Sequence, residues 1–310
     1  KLIPDLGGAI VKGVVSIGCA IANYGVWALI IGQMAGTVMT MFAVWYVYPW
    51  RPRLTIHYRL ARELLRFGIP IVSLGAFAVF FDSLDRLIIG RSFDSSALGL
   101  YTLATRLPEL LILNSLWVVT GAIFPVYATI QEQTDSLRKS FLATLRFTGV
   151  FLMPLGLGLL LAADPLVRLA FGEQWIDSIL FVRILAASAL FQSVGFHIGD
   201  VYKAVGRVDI LIKLNTAMVI IQVPLLLFSV RYGVAGVAWA MVLAMLLEAI
   251  VRLWAAGWFL KISWATLLAQ LVPSLLGGVA LSLLVVPTLR LTADLDPLLR
   301  LLAITVMGAI

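Results

Sequence analysis

The sequence predicts an all-α polytopic membrane protein of about ten transmembrane helices. Three observations carry that prediction. Hydrophobic residues make up 62% of the chain and charged residues 13%, at a mean hydropathy of +1.04, whereas a soluble domain has about 45–50% and about 25%. Apolar runs of about twenty residues, the length that crosses about 30 Å of hydrocarbon, recur along the chain. No loop between them exceeds about 20 residues, which leaves no room for a soluble catalytic domain. A soluble interior cannot hide this much apolar surface, so the bilayer is the solvent for most side chains.

On that ruler the first span covers residues 6–22 and the second 26–47, parted by Asn23–Tyr24–Gly25 and stopped by Pro49 and Pro52. A basic ramp follows with Arg51, Arg53, Arg59, Arg62 and Arg66. The third span covers 67–90 and the fourth 98–127, bent at Pro108 and again at Pro125. The fifth covers 141–162. A short interfacial helix is expected after it, with Asp164 as N-cap and Pro165 as its first helical residue. Spans at 179–201, 210–230, 234–260 and 267–286 follow. Asp296–Pro297 repeats the cap-plus-proline opening for a tenth that runs to Ile310. The chain starts at Lys1 without methionine or signal peptide and stops within an apolar run, so a fragment of a longer protein is expected.

Orientation follows from the loops. Alternating spans put thirteen Lys and Arg residues on one side and only Arg91, Arg168, Arg231 and Arg290 on the other, so the basic side is expected to be cytoplasmic. The same bias accounts for the net charge of +7 and argues against nucleic acid as a partner. The lone Cys19 has no intrachain disulfide partner.

An internal echo bears on domain organisation. Residues 24–34 read YGVWALIIGQM and residues 232–246 read YGVAGVAWAMVLAML. The offset is six spans, an even number, which implies a parallel six-helix repeat; chance similarity between apolar runs is the alternative. The division expected is 1–48 as the last two helices of an amino-terminal lobe and 49–66 as a basic inter-lobe linker. Residues 67–260 form a six-helix carboxy-terminal lobe and 261–310 extra helices.

Ionisable residues inside apolar helices are costly unless they pair or meet water, and so mark candidate sites. Asp82, Asp85 and Arg86 share one face of the third span, and Arg106 and Glu109 one face of the fourth. Counted from the short loop between these antiparallel neighbours, the arginines lie at one level. The carboxylates lie deeper, about 12–14 Å in for Asp82 and Glu109. Two readings fit: a salt-bridge lattice that only fastens the helices, or the wall of a water-filled cavity for a charged substrate or coupling ion.

Arg183, His197, Asp200 and Lys203 follow along the sixth span. His197 and Asp200 share a face and suit proton transfer, or else a structural histidine beside a packing patch at Gly195 and Gly199. Glu248 and Arg252 form a self-neutralising pair, and Trp175, Trp258 and Trp264 fit interfacial belts. Two histidines and one cysteine give no metal site of usual spacing, and no phosphate-binding Walker loop exists. The triplet Asp294–Leu295–Asp296 is read as capping, not as a glycosyltransferase metal motif.

The order FGIP, D…DRLIIG, ALGLYTLATRLPEL and FPVYATIQ resembles the seventh and eighth helices of Wzx-like polysaccharide and O-antigen flippases. These form the polysaccharide-transporter branch of the multidrug/oligosaccharidyl-lipid/polysaccharide exporter superfamily. PLVRLAFGEQWIDS, KAVGR and the YGV segments are similar to later parts of the same pattern. The resemblance covers nearly the whole chain and starts near the family's fifth helix.

It implies a two-lobed alternating-access carrier that moves an undecaprenyl-diphosphate-linked oligosaccharide to the outer leaflet of the bacterial inner membrane. H+ or Na+ would be the coupling ion, no other cofactor is implied, and polymerase and assembly proteins are the implied partners. On that reading Arg86, Arg106, Arg183 and Lys203 are cavity cations for the anionic head group. Asp82, Asp85, Glu109, His197 and Asp200 balance charge or couple ions. A drug or metabolite antiporter of the same superfamily is the nearest alternative, and a membrane glycosyltransferase or polymerase a distant one.

Overall fold

The computed structural model describes residues 2–47, 58–292 and 297–309, with the side chains of 2–3 and 307–309 and some of those of 59–82 outside the description. No strand occurs among the described residues. The chain divides into two compact units, Lys1–Ile69 and Pro70–Ile310, described separately.

In the first unit α1 (Leu2–Ile21) and α2 (Trp27–Val47) form a hairpin around a turn with Asn23 and Gly25 at positive φ. Their closeness depends on small residues. A Cβ on Gly36 would lie 2.8 Å from the Gly8 carbonyl oxygen, so the backbones meet as they do at small-residue membrane interfaces. A Cβ on Gly32 would likewise lie 3.0 Å from the Lys12 carbonyl oxygen and 2.9 Å from Ser16 Cβ. The helix α3 (Tyr58–Ser92) starts in this unit, and its residues from Pro70 on belong to the second. Arg51 and Arg53 of the basic ramp lie outside the described residues, whereas Arg59, Arg62 and Arg66 fall on the first turns of α3.

The second unit continues with α4 (Ser95–Pro108), a π-helical turn (Glu109–Leu113), α5 (Asn114–Thr129) and α6 (Thr134–Leu161). After the short α7 (Ala163–Phe171) and a 3₁₀ turn come α8 (Ile179–Ser193), α9 (Ile198–Ala204) and α10 (Val208–Ser229). The unit ends with α11 (Gly233–Leu260), α12 (Trp264–Leu291) and α13 (Pro297–Ala309). Seven helical stretches among the described residues are long and apolar enough to cross a membrane. One of them, Val208–Leu260, folds back at Val230–Tyr232 into α10 and α11. With the 35-residue α3 and the shorter α13, the helices follow the order of the ten expected spans.

Draw the α3–α4 turn at the top. An upper apolar cluster then joins α3, α4, α6, α8 and α11 through Ile89, Tyr101, Leu152, Val182 and Val237. A lower one joins α5, α6, α9 and α11 through Tyr127, Phe141, Tyr202 and Leu260. Both are made of buried apolar side chains, and the polar groups of the site lie between them.

Two local expectations need correction. The sixth span is not continuous: α8 and α9 are separated by Val194–His197, with Gly195 at φ +75°. Few L residues adopt that conformation, and a Cβ there would also lie 3.1 Å from Arg252 Cβ. Asp164 does not cap α7, whose N-cap residue is Ala162 with no side-chain bond. Its carboxylate takes Arg168 Nε at 3.0 Å and Arg300 Nη1 at 2.9 Å instead. Two guanidiniums outbid a backbone N–H because charge-assisted bonds are about twice as strong. Asp294, Leu295 and Asp296 lie outside the described residues.

The α6–α8 contact provides a stability test. A Cβ on Gly156 would sit 2.6 Å from Leu190 Cγ, whereas Gly158 faces open space. Gly156→Ala should therefore cost about 1–3 kcal/mol. Gly158→Ala should be neutral or gain up to about 1 kcal/mol from helix propensity. Thermal unfolding of the two variants in detergent separates these outcomes.

Candidate functional site

The upper site is built from the top turns of α3 and α4. Asp94 opens α4 by accepting Ala97 N at 3.0 Å, an N-cap that fixes where the helix starts. Leu84 and Ile88 of α3 then pack with Tyr101 and Ala104 of α4. This brings the Tyr101 hydroxyl to Asp85 Oδ2 at 2.7 Å, while Asp85 Oδ1 accepts Arg86 N at 2.8 Å. Both side chains are buried, so the hydroxyl replaces water for a carboxylate at this depth.

One turn lower, Pro108 ends the regular α4 ladder. Proline has no N–H for the carbonyl four residues back, and its ring crowds that turn. The chain absorbs the mismatch as the π turn Glu109–Leu113 before α5 resumes. Such turns are frequent at functional sites because they re-aim one side chain without breaking the helix. Here the re-aimed side chain is Glu109. Arg86 Nη2 donates to Glu109 Oε1 at 2.9 Å and Arg106 Nη1 to Oε2 at 3.3 Å. Glu109 thus ties α3 to α4 and spends one oxygen on each arginine.

Asp85, Arg86 and Glu109 line a cavity of about 280 Å³ among α3, α4, α5, α8 and α11. Asn114, Ser188 and Gln192 add neutral hydrogen-bonding groups, and Trp117, Met241 and Met245 the apolar part of the wall. Arg106 is 57% exposed against 31% for Arg86, and reaches the cavity only through Glu109. Asp82 lies on α3 one turn before Arg86, and its side chain lies outside the described residues. Arg183 is exposed on the face of α8 away from Ser188 and Gln192, outside the cavity.

A second cluster forms below, where α8 breaks. His197 and Asp200 are 3% and 2% exposed. Asp200 Oδ2 accepts Thr120 Oγ1 of α5 at 2.8 Å and meets His197 Nδ1 at 3.1 Å. Its other oxygen accepts Lys203 Nζ at 3.3 Å. Lys203 is thus tied to Asp200 rather than to the cavity. Alongside, Arg252 Nε donates to Glu248 Oε1 at 2.6 Å and Arg252 Nη2 to Asn215 at 3.2 Å. The expected i, i+4 pair is present, with a third helix joined to it. The two levels touch through aromatic edges: Trp117 on Phe196 at 5.6 Å, and Phe196 on the His197 ring at 5.4 Å. No group of three or more His, Cys, Asp or Glu able to hold a metal ion occurs among the described residues.

Sequence reasoning missed the neutral site residues, among them Tyr101, Asn114, Ser188 and Gln192 above and Thr120 below. Tyr101 had a usable signal. It lies six residues into α4 while Asp85 lies seven from the end of α3, so the two share a level. Thr120 and Gln192 sit in apolar runs with nothing to mark them.

The larger unit is thus a set of apolar helices around a cavity of about 280 Å³ lined by charged and neutral polar side chains. Comparison with known proteins shows the family. The profile of the family described as "Polysaccharide biosynthesis protein" matches residues 3–180, and the chain belongs to that family.

It is 27% identical over 75% of its length to the lipopolysaccharide biosynthesis protein WzxC of Escherichia coli (strain K12), covering 49% of that protein. It is 24% identical over 71% of its length to the teichuronic acid biosynthesis protein TuaB of Bacillus subtilis (strain 168), covering 46% of it. With the probable low-salt glycan biosynthesis flippase Agl15 of Haloferax volcanii it shares 22% identity over 81% of its length and 55% of that protein. The chain spans about half the length of the curated relatives it matches. Its fold is similar to that of the lipid II flippase MurJ in its inward closed conformation, with a TM-score of 0.73 at 17% identity, over 99% of this chain and 66% of that one.

The upper site separates burial from ion pairing. Tyr101→Phe strips the hydroxyl from a buried carboxylate and should cost about 1–3 kcal/mol. Glu109→Gln acts at partly open arginines, where pairs are worth about 0–1 kcal/mol, and should cost less. Denaturant unfolding of the two variants checks the order.

Proposed function

We propose that this chain is part of a flippase that moves a lipid-linked oligosaccharide, an undecaprenyl-diphosphate-linked sugar, across the inner membrane by ion-coupled alternating access. The observation that carries the reading is Glu109, held between Arg86 and Arg106 on the wall of a polar cavity inside an apolar unit. A carboxylate clasped by two guanidiniums occupies the place that a diphosphate would take. The described charges of Asp85, Arg86, Arg106 and Glu109 sum to zero. An entering anion therefore competes with Glu109 for arginines that are already aimed, which lowers the cost of binding. Arg86 meets the head group directly, and Arg106 follows once Glu109 lets go. Asn114, Ser188 and Gln192 suit sugar hydroxyls and favour this reading over export of apolar drugs.

Kinship with proteins named for lipopolysaccharide, teichuronic acid and glycan biosynthesis supports the substrate class. The bias of Lys and Arg toward the lower ends of the helices supports a cytoplasmic lower face; in that orientation Asp85 and Glu109 belong to the outer half of the membrane. On this reading residues 67–260 are the second six-helix lobe of a two-lobed carrier. Arg183, on the far face of α8, is outside the substrate path, and polysaccharide polymerase or assembly proteins are its partners at the outer face.

Arg86→Gln in the complete protein should lower surface polysaccharide about ten- to hundredfold at unchanged protein level, the loss expected for one charge-assisted contact of about 1.5–3 kcal/mol. Arg106→Gln should do the same to a smaller extent. Normal polysaccharide display in the Arg86 variant would overturn the role.

A further inference from the structure

The cluster at the α8–α9 break is not used by the cavity just described, and its bonding is incomplete in an informative way. His197 Nδ1 lies 3.1 Å from Asp200 Oδ2, an oxygen that also accepts Thr120 Oγ1. Two lone pairs would repel at that distance, so Nδ1 carries the hydrogen. Nε2 is then a bare lone pair, and it is buried without a hydrogen-bond partner. An unpaired acceptor of that kind is normally avoided in a protein interior. Asp200 is also held by Lys203, whose side chain is 40% exposed and can swing into water.

The groups packed around the pair leave it alone. On α5, the Tyr127 hydroxyl donates to Thr144 of α6. On α11, Arg252 is committed to Glu248 and to Asn215 of α10. On α9 itself, the Tyr202 hydroxyl is buried without a partner. With Asp200 and Lys203 ionised and His197 neutral, the cluster carries no net charge.

We propose that the α8–α9 break is a proton-binding site in which His197 and Lys203 are alternative counter-ions of Asp200. Uptake of one proton at Nε2 makes His197 an imidazolium bonded to Asp200. Two cations then face one carboxylate in a buried site, and Lys203 is the one that can leave. Its release restores neutrality below and frees an ammonium group at the lower end of the helices. Proton binding is thereby converted into a rearrangement at α9 and, through the Thr120 hydroxyl on Asp200, into a change in the hold on α5, the helix that follows the π turn of Glu109. The site rests on its own geometry; its use as the coupling site rests on the transport reading above.

The test is a histidine-ring ¹⁵N NMR titration of the complete protein in nanodiscs, with the His197 signal identified by its loss in His197→Gln. The Nδ1–H tautomer should be seen at high pH and the imidazolium on acidification, since histidine is the side chain suited to titrate between about pH 5 and 8. Lys203→Met, a change at a half-exposed side chain, should raise the midpoint by about one pH unit or more, because a competing cation is gone. Asp200→Asn should lower it. A ring that stays neutral down to about pH 4, or a midpoint indifferent to Lys203→Met, overturns the proposal even if the protein flips its substrate. A titration as expected, joined to sugar transport in proteoliposomes that ignores the proton gradient, keeps the site and rejects the transport reading of it.

Discussion

The hydroxyl of Tyr101 on the carboxylate of Asp85 is the contact on which the larger unit depends. A buried carboxylate must be solvated by the protein or neutralised. Here a side chain of the neighbouring helix solvates it at 2.7 Å, which sets the register of α3 against α4. Once that register is set, Arg86, one residue on, points at the level where Pro108 interrupts α4. The π turn that follows delivers Glu109 to it. The cavity is therefore a consequence of two local conditions, a carboxylate that must find a hydroxyl and a proline that must shed a hydrogen bond.

The same logic recurs at the lower level with other residues. Asp200 is solvated by Thr120, His197 and Lys203, and the helix opens at Gly195 to bring His197 and Asp200 onto the same turn. Both levels hold α5, one through the π turn above it and one through Thr120. That shared helix, with Trp117 and Phe196 in edge contact between them, is the physical connection between the two levels. In both places a helix irregularity stands beside a carboxylate, as expected where irregular backbone at membrane depth lines a polar site rather than lipid.

The order of the helices was legible because the apolar runs are long and the loops short, so hydropathy alone placed ten spans in sequence. The pairing of Arg86 with Glu109 was within reach of counting residues from the α3–α4 turn. What stayed hidden was local. The period of an apolar run does not change where a helix breaks, so Val194–His197 read as continuous helix. Lys203 looked like a cavity cation because sequence spacing does not say which way the turn before it points. Asp164 looked like a cap because its two guanidiniums come from different parts of the chain, one of them on α13. Neutral partners such as Thr120 and Gln192 carry no mark in an apolar run, yet they decide what the charged groups can do.

Asp164 has a consequence for how the unit is assembled. Arg300 reaches it from α13, and the apolar contact that accompanies this bond is small, with Ala162, Val285 and Ile304 at its centre. Neither α12 nor α13 contributes a residue to the wall around Asp85 and Glu109. The helix α13 therefore packs on α7 and α12 at the rim of the bundle, away from that wall. Such a helix can be lengthened, exchanged or given a new docking role over evolutionary time while the machinery around Glu109 stays as it is.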